Sequence, residues 1–156
     1  MRRTYYILFV SFSLLTAVLA TARPVQAVLG ESADSVTADR KALSAMRSVT
    51  TTRATYTVQE VESESVTVRE YISPSGIVFA VTWSGLVNPD LTQLLGSYSG
   101  EYQEARRQTP RTPGKRSQQV KTNRVVVETW GHMRHLQGRA YAPALVPQGV
   151  TIDEIK

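Results

Sequence analysis

The period of polarity changes several times along the chain. Residues 5–20 run without a charge (YYILFVSFSLLTAVLA). Residues 34–46 then place Val36, Leu43 and Met46 on one side and Asp39, Arg40 and Lys41 on the other, the spacing of a short amphipathic helix with Asp34 as its cap. The threonines Thr50, Thr51 and Thr52 are expected to end it. Three alternating stretches follow, at residues 55–61, 65–72 and 77–83. In the third, Ile77, Phe79, Val81 and Trp83 fall on one face and Val78, Ala80 and Thr82 on the other. A strand that is apolar on both faces belongs in the middle of a sheet. The joints, Glu62-Ser63-Glu64 and Ser73-Pro74-Ser75-Gly76, are short, so the three strands are expected to form an antiparallel meander.

Asn88-Pro89-Asp90 carries the signals of a helix start: a capping asparagine, proline at the first helical position, and an acid at the positive end of the dipole. Leu91, Leu94, Leu95, Tyr98 and Tyr102 recur at helical spacing. Gly96 and Gly100 weaken that helix by about 1 kcal/mol each relative to alanine, and a break is expected near Gly100. Residues 108–119 (QTPRTPGKRSQQ), with prolines, a glycine and only basic charges, read as a loop. Residues 123–130 and 133–142 read as two more strands around a turn at Gly131. Pro143 and Pro147 stop further pairing, and Thr151 to Glu154 has capping-box spacing. The predicted class is α+β: an antiparallel sheet of about five strands with two helices packed on one face.

The uncharged run lies behind Arg2 and Arg3, which makes residues 1–27 a secretion signal. Val25-Gln26-Ala27 offers signal peptidase its small residues, with cleavage after Ala27. Cleavage at Ala20-Thr21-Ala22 would leave Arg23-Pro24 directly after the cut, where proline fits poorly. An uncleaved anchor is the competing reading, and the run falls slightly short of the roughly 20 apolar residues a spanning helix needs. Residues 28–156 are then expected to form a single domain, periplasmic or secreted, that meets the membrane only through the signal peptide during export.

Composition narrows the chemistry. With 42% hydrophobic and 20% charged residues the chain is not wholesale disordered. The absence of cysteine excludes thiol catalysis, iron–sulfur clusters, cysteine-ligated zinc and a lipid-modified N-terminal cysteine. The formal charge of +5 falls to +2 once Arg2, Arg3 and Arg23 leave with the signal. The remaining charge is uneven: residues 28–104 carry a net −5, residues 105–124 a net +7 with no acid, and residues 125–156 balance.

Four stretches together, LGESADSV, VREYISPSGIVFAVTWSG, PDLTQLLGSY and VVVETWGHMRHLQGRAYAPALVPQGV, resemble a family of exported proteobacterial proteins catalogued as domain of unknown function 2844. The resemblance covers nearly all of residues 29–155, with the basic loop at 106–119 the least matched part. It implies export, a single domain and a partner among other exported proteins. It brings no established activity, ligand or catalytic residue.

The candidate chemical groups are few. His132 and His135 are the only histidines, with Glu128 nearby. On a helix this spacing could grip zinc, but positions three apart on one strand point to opposite faces, so no metal is expected. Glu60, Glu62, Glu64 and Glu70 could suggest paired carboxylates for glycoside cleavage, but a solvated strand edge explains them better. No Gly-x-Ser-x-Gly elbow is present. The basic segment, with Arg106, Arg107, Arg111, Lys115 and Arg116 at its centre, lacks the interleaved aromatic residues that stack on bases, and nucleic acid is not an expected partner. Trp83, Trp130, Tyr71, Tyr98, Tyr102 and Tyr141 are expected in the core first. No catalytic residue and no cofactor are assigned. The expected function is a non-enzymatic binding or accessory module for another exported component. The alternative is a binder of a small anionic or lipidic ligand through the basic loop. A third reading, a hydrolase with an irregular site built on His132 or His135, rests on no motif.

Overall fold

The structure, a computed structural model, describes residues 28–33, 47–110 and 114–156. The signal with Ala27, the helix expected over residues 34–46, and Arg111 lie outside the described residues. Seven strands, β1 (Arg47–Thr52), β2 (Thr57–Glu62), β3 (Val66–Ile72), β4 (Val78–Gly85), β5 (Ser117–Lys121), β6 (Val126–His132) and β7 (His135–Tyr141), form one sheet in the order β1-β2-β3-β4-β7-β6-β5. Every pairing is antiparallel. The doubly apolar strand β4 is central, as its sequence requires, and β2-β3-β4 is the expected meander.

The expected α+β layout of about five strands and two helices on one face is overturned. The described residues hold a seven-stranded antiparallel sheet and one helical segment of 18 residues, built of α1 (Leu91–Leu95), a 3-10 turn (Gly96–Tyr98) and α2 (Ser99–Gln108). The two additional strands are the two edges. β1 includes the threonines that were expected to end a helix, and β5 (SQQVK) takes the end of the expected loop. An edge strand buries little, so it need not carry apolar alternation, and the hydrophobic signal is absent where these strands occur.

The helical segment starts two residues later than expected. Asp90 is its cap, its carboxylate accepting the Thr92 amide hydrogen at 2.9 Å. Asn88 instead accepts a hydrogen bond from the Trp83 indole at 3.3 Å. The break falls at Gly96, not Gly100. Gly96 has φ +49°, and a Cβ there would lie 1.9 Å from Cγ1 of Val28. Residues 28–33 are therefore packed into the helix turn, and Leu29 (0% exposed) donates its amide hydrogen to the carbonyl of Leu94. The same segment pairs with the start of β4 through Gly30, Glu31 and Ala33.

The sheet has apolar side chains on both faces. On the helix side, Leu29, Val68, Ile72, Val78, Val81 and Trp83 pack with Leu94, Leu95, Tyr98 and Tyr102. On the other side, Tyr56, Tyr71, Phe79 and Ala80 are covered by the C-terminal tail, with Ile155 fully buried and Val146, Val150 and Ile152 beside it. The simple alternation expected in β4 is broken. Tyr71 pairs with Ala80 but Ile72 pairs with Val78, which leaves Phe79 as an extra residue in a bulge. Val78 therefore joins Val81 on the helix side, while Phe79 and Ala80 both face the tail.

Candidate functional site

The antiparallel register places side chains of the tail-side face in rows that cross the sheet. One row reads Glu60, Arg69, Thr82, Arg139, Glu128, Gln119 from β2 to β5. Directly opposed residues are the unit of side-chain interaction in a sheet, and here opposite charges oppose one another. Arg69 ion-pairs with Glu60 and Arg139 with Glu128. Gln119 donates to the second Glu128 oxygen. The Glu128–Arg139 pair is about four-fifths buried on each side, where charge-assisted hydrogen bonds are stronger than at the open surface.

This ladder separates two environments. On one side lies the apolar floor under the tail. Arg139 also donates to the carbonyls of Ile152 (2.9 Å) and Ile155 (3.4 Å). Tyr71 donates its hydroxyl hydrogen to the Lys156 carbonyl at 2.6 Å and accepts the Lys156 amide hydrogen at 3.0 Å. On the other side lies the next row, Thr67, Ser84, Gln137, Trp130 and Ser117, which the tail leaves open. Together the two rows floor a groove of about 810 Å³. Trp130 is 36% exposed in it. Its indole nitrogen donates to Gln137 at 2.6 Å, and the Arg139 guanidinium lies over its ring, 6.0 Å from the centroid. The Gln137 amide nitrogen in turn meets the His135 ring at 2.6 Å. The sequence placed Trp130 in the core with the other aromatics, because in β6 it follows an apolar run. The register instead puts it at the uncovered end.

The two histidines also differ from expectation. The turn lies at Met133-Arg134, not at Gly131, so His132 and His135 oppose one another across a two-residue hairpin on one face, both exposed. Met133 takes φ +48° in that turn. Of the four glutamates, Glu60 belongs to the ladder, Glu62 and Glu64 are exposed, and Glu70 is buried on the helix side of the sheet. The register thus separates Glu60 from Glu70 by the thickness of the sheet.

The basic segment is divided. Arg106 and Arg107 occupy the last turn of α2, exposed, with Arg107 3.6 Å from Glu104. Both line a second groove of about 990 Å³ between α2 and the β5–β6 end of the sheet, together with Tyr102 and Asp90. Burial raises the Tyr102 phenol above its usual pKa, and the Arg106 charge opposes that rise. Lys115 and Arg116 lie exposed just before β5, at a smaller cavity that Trp130 also lines. Tyr141, beside the ladder, is likewise raised by burial and then by the Glu128 carboxylate, with Arg139 acting against both.

Comparison with curated proteins and with solved structures gives no match. A family model described as Protein of unknown function (DUF2844) matches residues 25–155, from just before the buried N-terminal segment through the tail that covers the sheet, and the chain belongs to that family.

Proposed function

We propose that the chain is exported, that it loses residues 1–27, and that the mature protein is a periplasmic or secreted binding module for another exported component rather than an enzyme. Export is supported by the uncharged run behind Arg2 and Arg3 and by a family match that begins at residue 25, downstream of that run. The binding reading is carried by the open groove beside the tail, whose Trp130, Gln137, Glu128 and Arg139 side chains are held by one another. A surface ordered in advance loses little side-chain freedom on association. The test has two parts. The mass of the protein recovered from envelope fractions is expected to begin at Val28, and full-length protein in the cytosol would overturn export. Immobilised protein is expected to retain an envelope component that the Trp130→Ala variant does not. Equal recovery by both proteins, or none above a mock control, would overturn the binding reading.

A second reading, an anionic or lipidic ligand, is favoured by Arg106 and Arg107 facing the second groove. Binding of vesicles rich in anionic lipid is then expected to weaken with salt and to vanish in the Arg106→Ala/Arg107→Ala variant. Unchanged binding in that variant would remove the segment from consideration.

A further inference from the structure

We infer that the open groove on the tail side of the sheet binds an uncharged glycan, with Trp130 as the platform on which a sugar ring packs. This inference rests on the binding reading above and names its ligand class. Three features of the groove point the same way. The first is charge. The arginines that line it, Arg69 and Arg139, are each engaged by a carboxylate from the neighbouring strand, which leaves Lys156, at the tail boundary, as the lining cation outside those pairs, a poor match for a polymer with an acid on every unit. The second is the indole. Trp130 is the exposed tryptophan of the pair in this chain, Trp83 being 2% exposed. Its orientation is fixed at the nitrogen by Gln137 and on the ring by Arg139, while a third of its surface stays open. A rigid amphipathic ring supplies contact area at low entropic cost. The C–H face of a pyranose is its natural complement. The third is the row around it. Thr67, Ser84, Ser117 and Gln137 bring hydroxyls and an amide that both donate and accept, which suits hydroxyls that do the same. The row crosses five strands in a line, so the floor accommodates several successive units rather than one small molecule.

The test uses protein purified after expression of the full chain, with cellohexaose, maltohexaose and chitohexaose as probes. Polygalacturonate and a proline-rich peptide are the comparators. Because Trp83 is buried, a change in tryptophan emission reports on Trp130. At least one hexaose is expected to give a saturable change with a dissociation constant of about 1 mM or tighter, unaffected by raising salt to about 0.5 M. By calorimetry, Trp130→Ala is expected to weaken that binding by about tenfold or more and Gln137→Ala by about threefold, while Lys121→Ala, at an exposed site on the border strand outside the groove, leaves it unchanged. Absence of saturation by all three hexaoses up to about 10 mM would overturn the assignment. So would binding confined to the peptide or to polygalacturonate, or full affinity in Trp130→Ala with native circular dichroism. Envelope capture that depends on Trp130 without hexaose binding would leave the binding reading standing and remove the glycan.

Discussion

Gly138 tests the packing of the whole sheet with one methyl group. It lies opposite Trp83 in the β4–β7 register, and the Trp83 ring occupies the space a side chain would need. A Cβ built on Gly138 would stand 2.2 Å from Cζ2 and 2.5 Å from Cε2 of Trp83, and 2.7 Å from the backbone oxygen of Glu128. Carbon atoms settle at about 3.5–4.0 Å, so the indole would have to retreat by more than about 1 Å. It has little room: it is 2% exposed within the helix-side core and is tied to Asn88 through its nitrogen. The Glu128 oxygen belongs to the β6 backbone and cannot give way alone. Overpacking costs about 1–3 kcal/mol, and a double clash of this kind belongs at the upper end. Gly138→Ala is therefore expected to lose about 3 kcal/mol, a fall in Tm of roughly 10 °C for a domain of this size. Gly100→Ala is the matched control. Gly100 is the second residue of α2, with open space where its Cβ would go. The same substitution there is expected to stabilise by about 0.5 kcal/mol through helix propensity and a less flexible unfolded chain. Urea unfolding followed by circular dichroism measures both. A Gly138→Ala variant within about 0.5 kcal/mol of the parent would refute the packing of Trp83 described above.

Leu29→Ala removes a fully buried side chain from the helix-side core and is expected to cost about 3 kcal/mol in urea unfolding; a loss under about 1 kcal/mol would mean that the N-terminal segment is not part of the cooperative unit. Arg139→Ala leaves the Glu128 carboxylate largely buried without its cation and frees two tail carbonyls. It is expected to cost about 2 kcal/mol and to open residues 143–156 to limited proteolysis, and a tail as protected as the parent's would contradict its role. Glu154 is held below the ordinary carboxylate value of 4.5 first by the Thr151 amide and then by the Thr151 hydroxyl. Because the folded value is lowered, its contribution is complete above the unfolded value and disappears as pH falls through the depressed one. The Thr151 amide resonance is expected to titrate at that lower pH, and a midpoint at or above 4.5 would contradict the capping box.

What the sequence revealed of the fold follows burial. β2, β3, β4, β6 and β7 are interior strands whose apolar residues must be shielded, and each was visible as an alternation or an apolar run. β1 and β5 lie at the borders, where Thr50, Thr51, Gln118 and Gln119 satisfy a pleated backbone, and in β5 a single residue, Val120, enters the core, too little to show as an alternation. The bulge at Phe79 was invisible for another reason. Ile77 to Trp83 is apolar at almost every position, so sliding one residue between faces leaves the pattern unchanged. The candidate site was legible only as scattered residues. Glu60, Arg69, Glu128 and Arg139 are separated by up to dozens of positions, and only register makes them a ladder. His132 and His135 were assigned to opposite faces because the turn was placed at Gly131. With the turn at Met133 they oppose one another on the same face.

The bulge also explains where the groove begins. By sending Phe79 and Ala80 to the same side, β4 widens the apolar floor at one end of the sheet, and the tail's Val146, Val150, Ile152 and Ile155 close over it. Past Ala80 ordinary alternation resumes, and the residues that reach the tail side become Thr82 and Ser84. Thr82 is itself buried within the ladder, but beyond it an apolar tail gains nothing by covering Ser84 and its row, since burial would strip their hydroxyls of water. The boundary therefore falls at the ladder, and Arg139 belongs to both of its sides. It holds the carbonyls of Ile152 and Ile155, engages Glu128, and lies over the Trp130 ring. Closure of the apolar half and order in the open half are thus coupled through one guanidinium. A substitution that loosens the tail should also release the indole, even when it lies far from the groove.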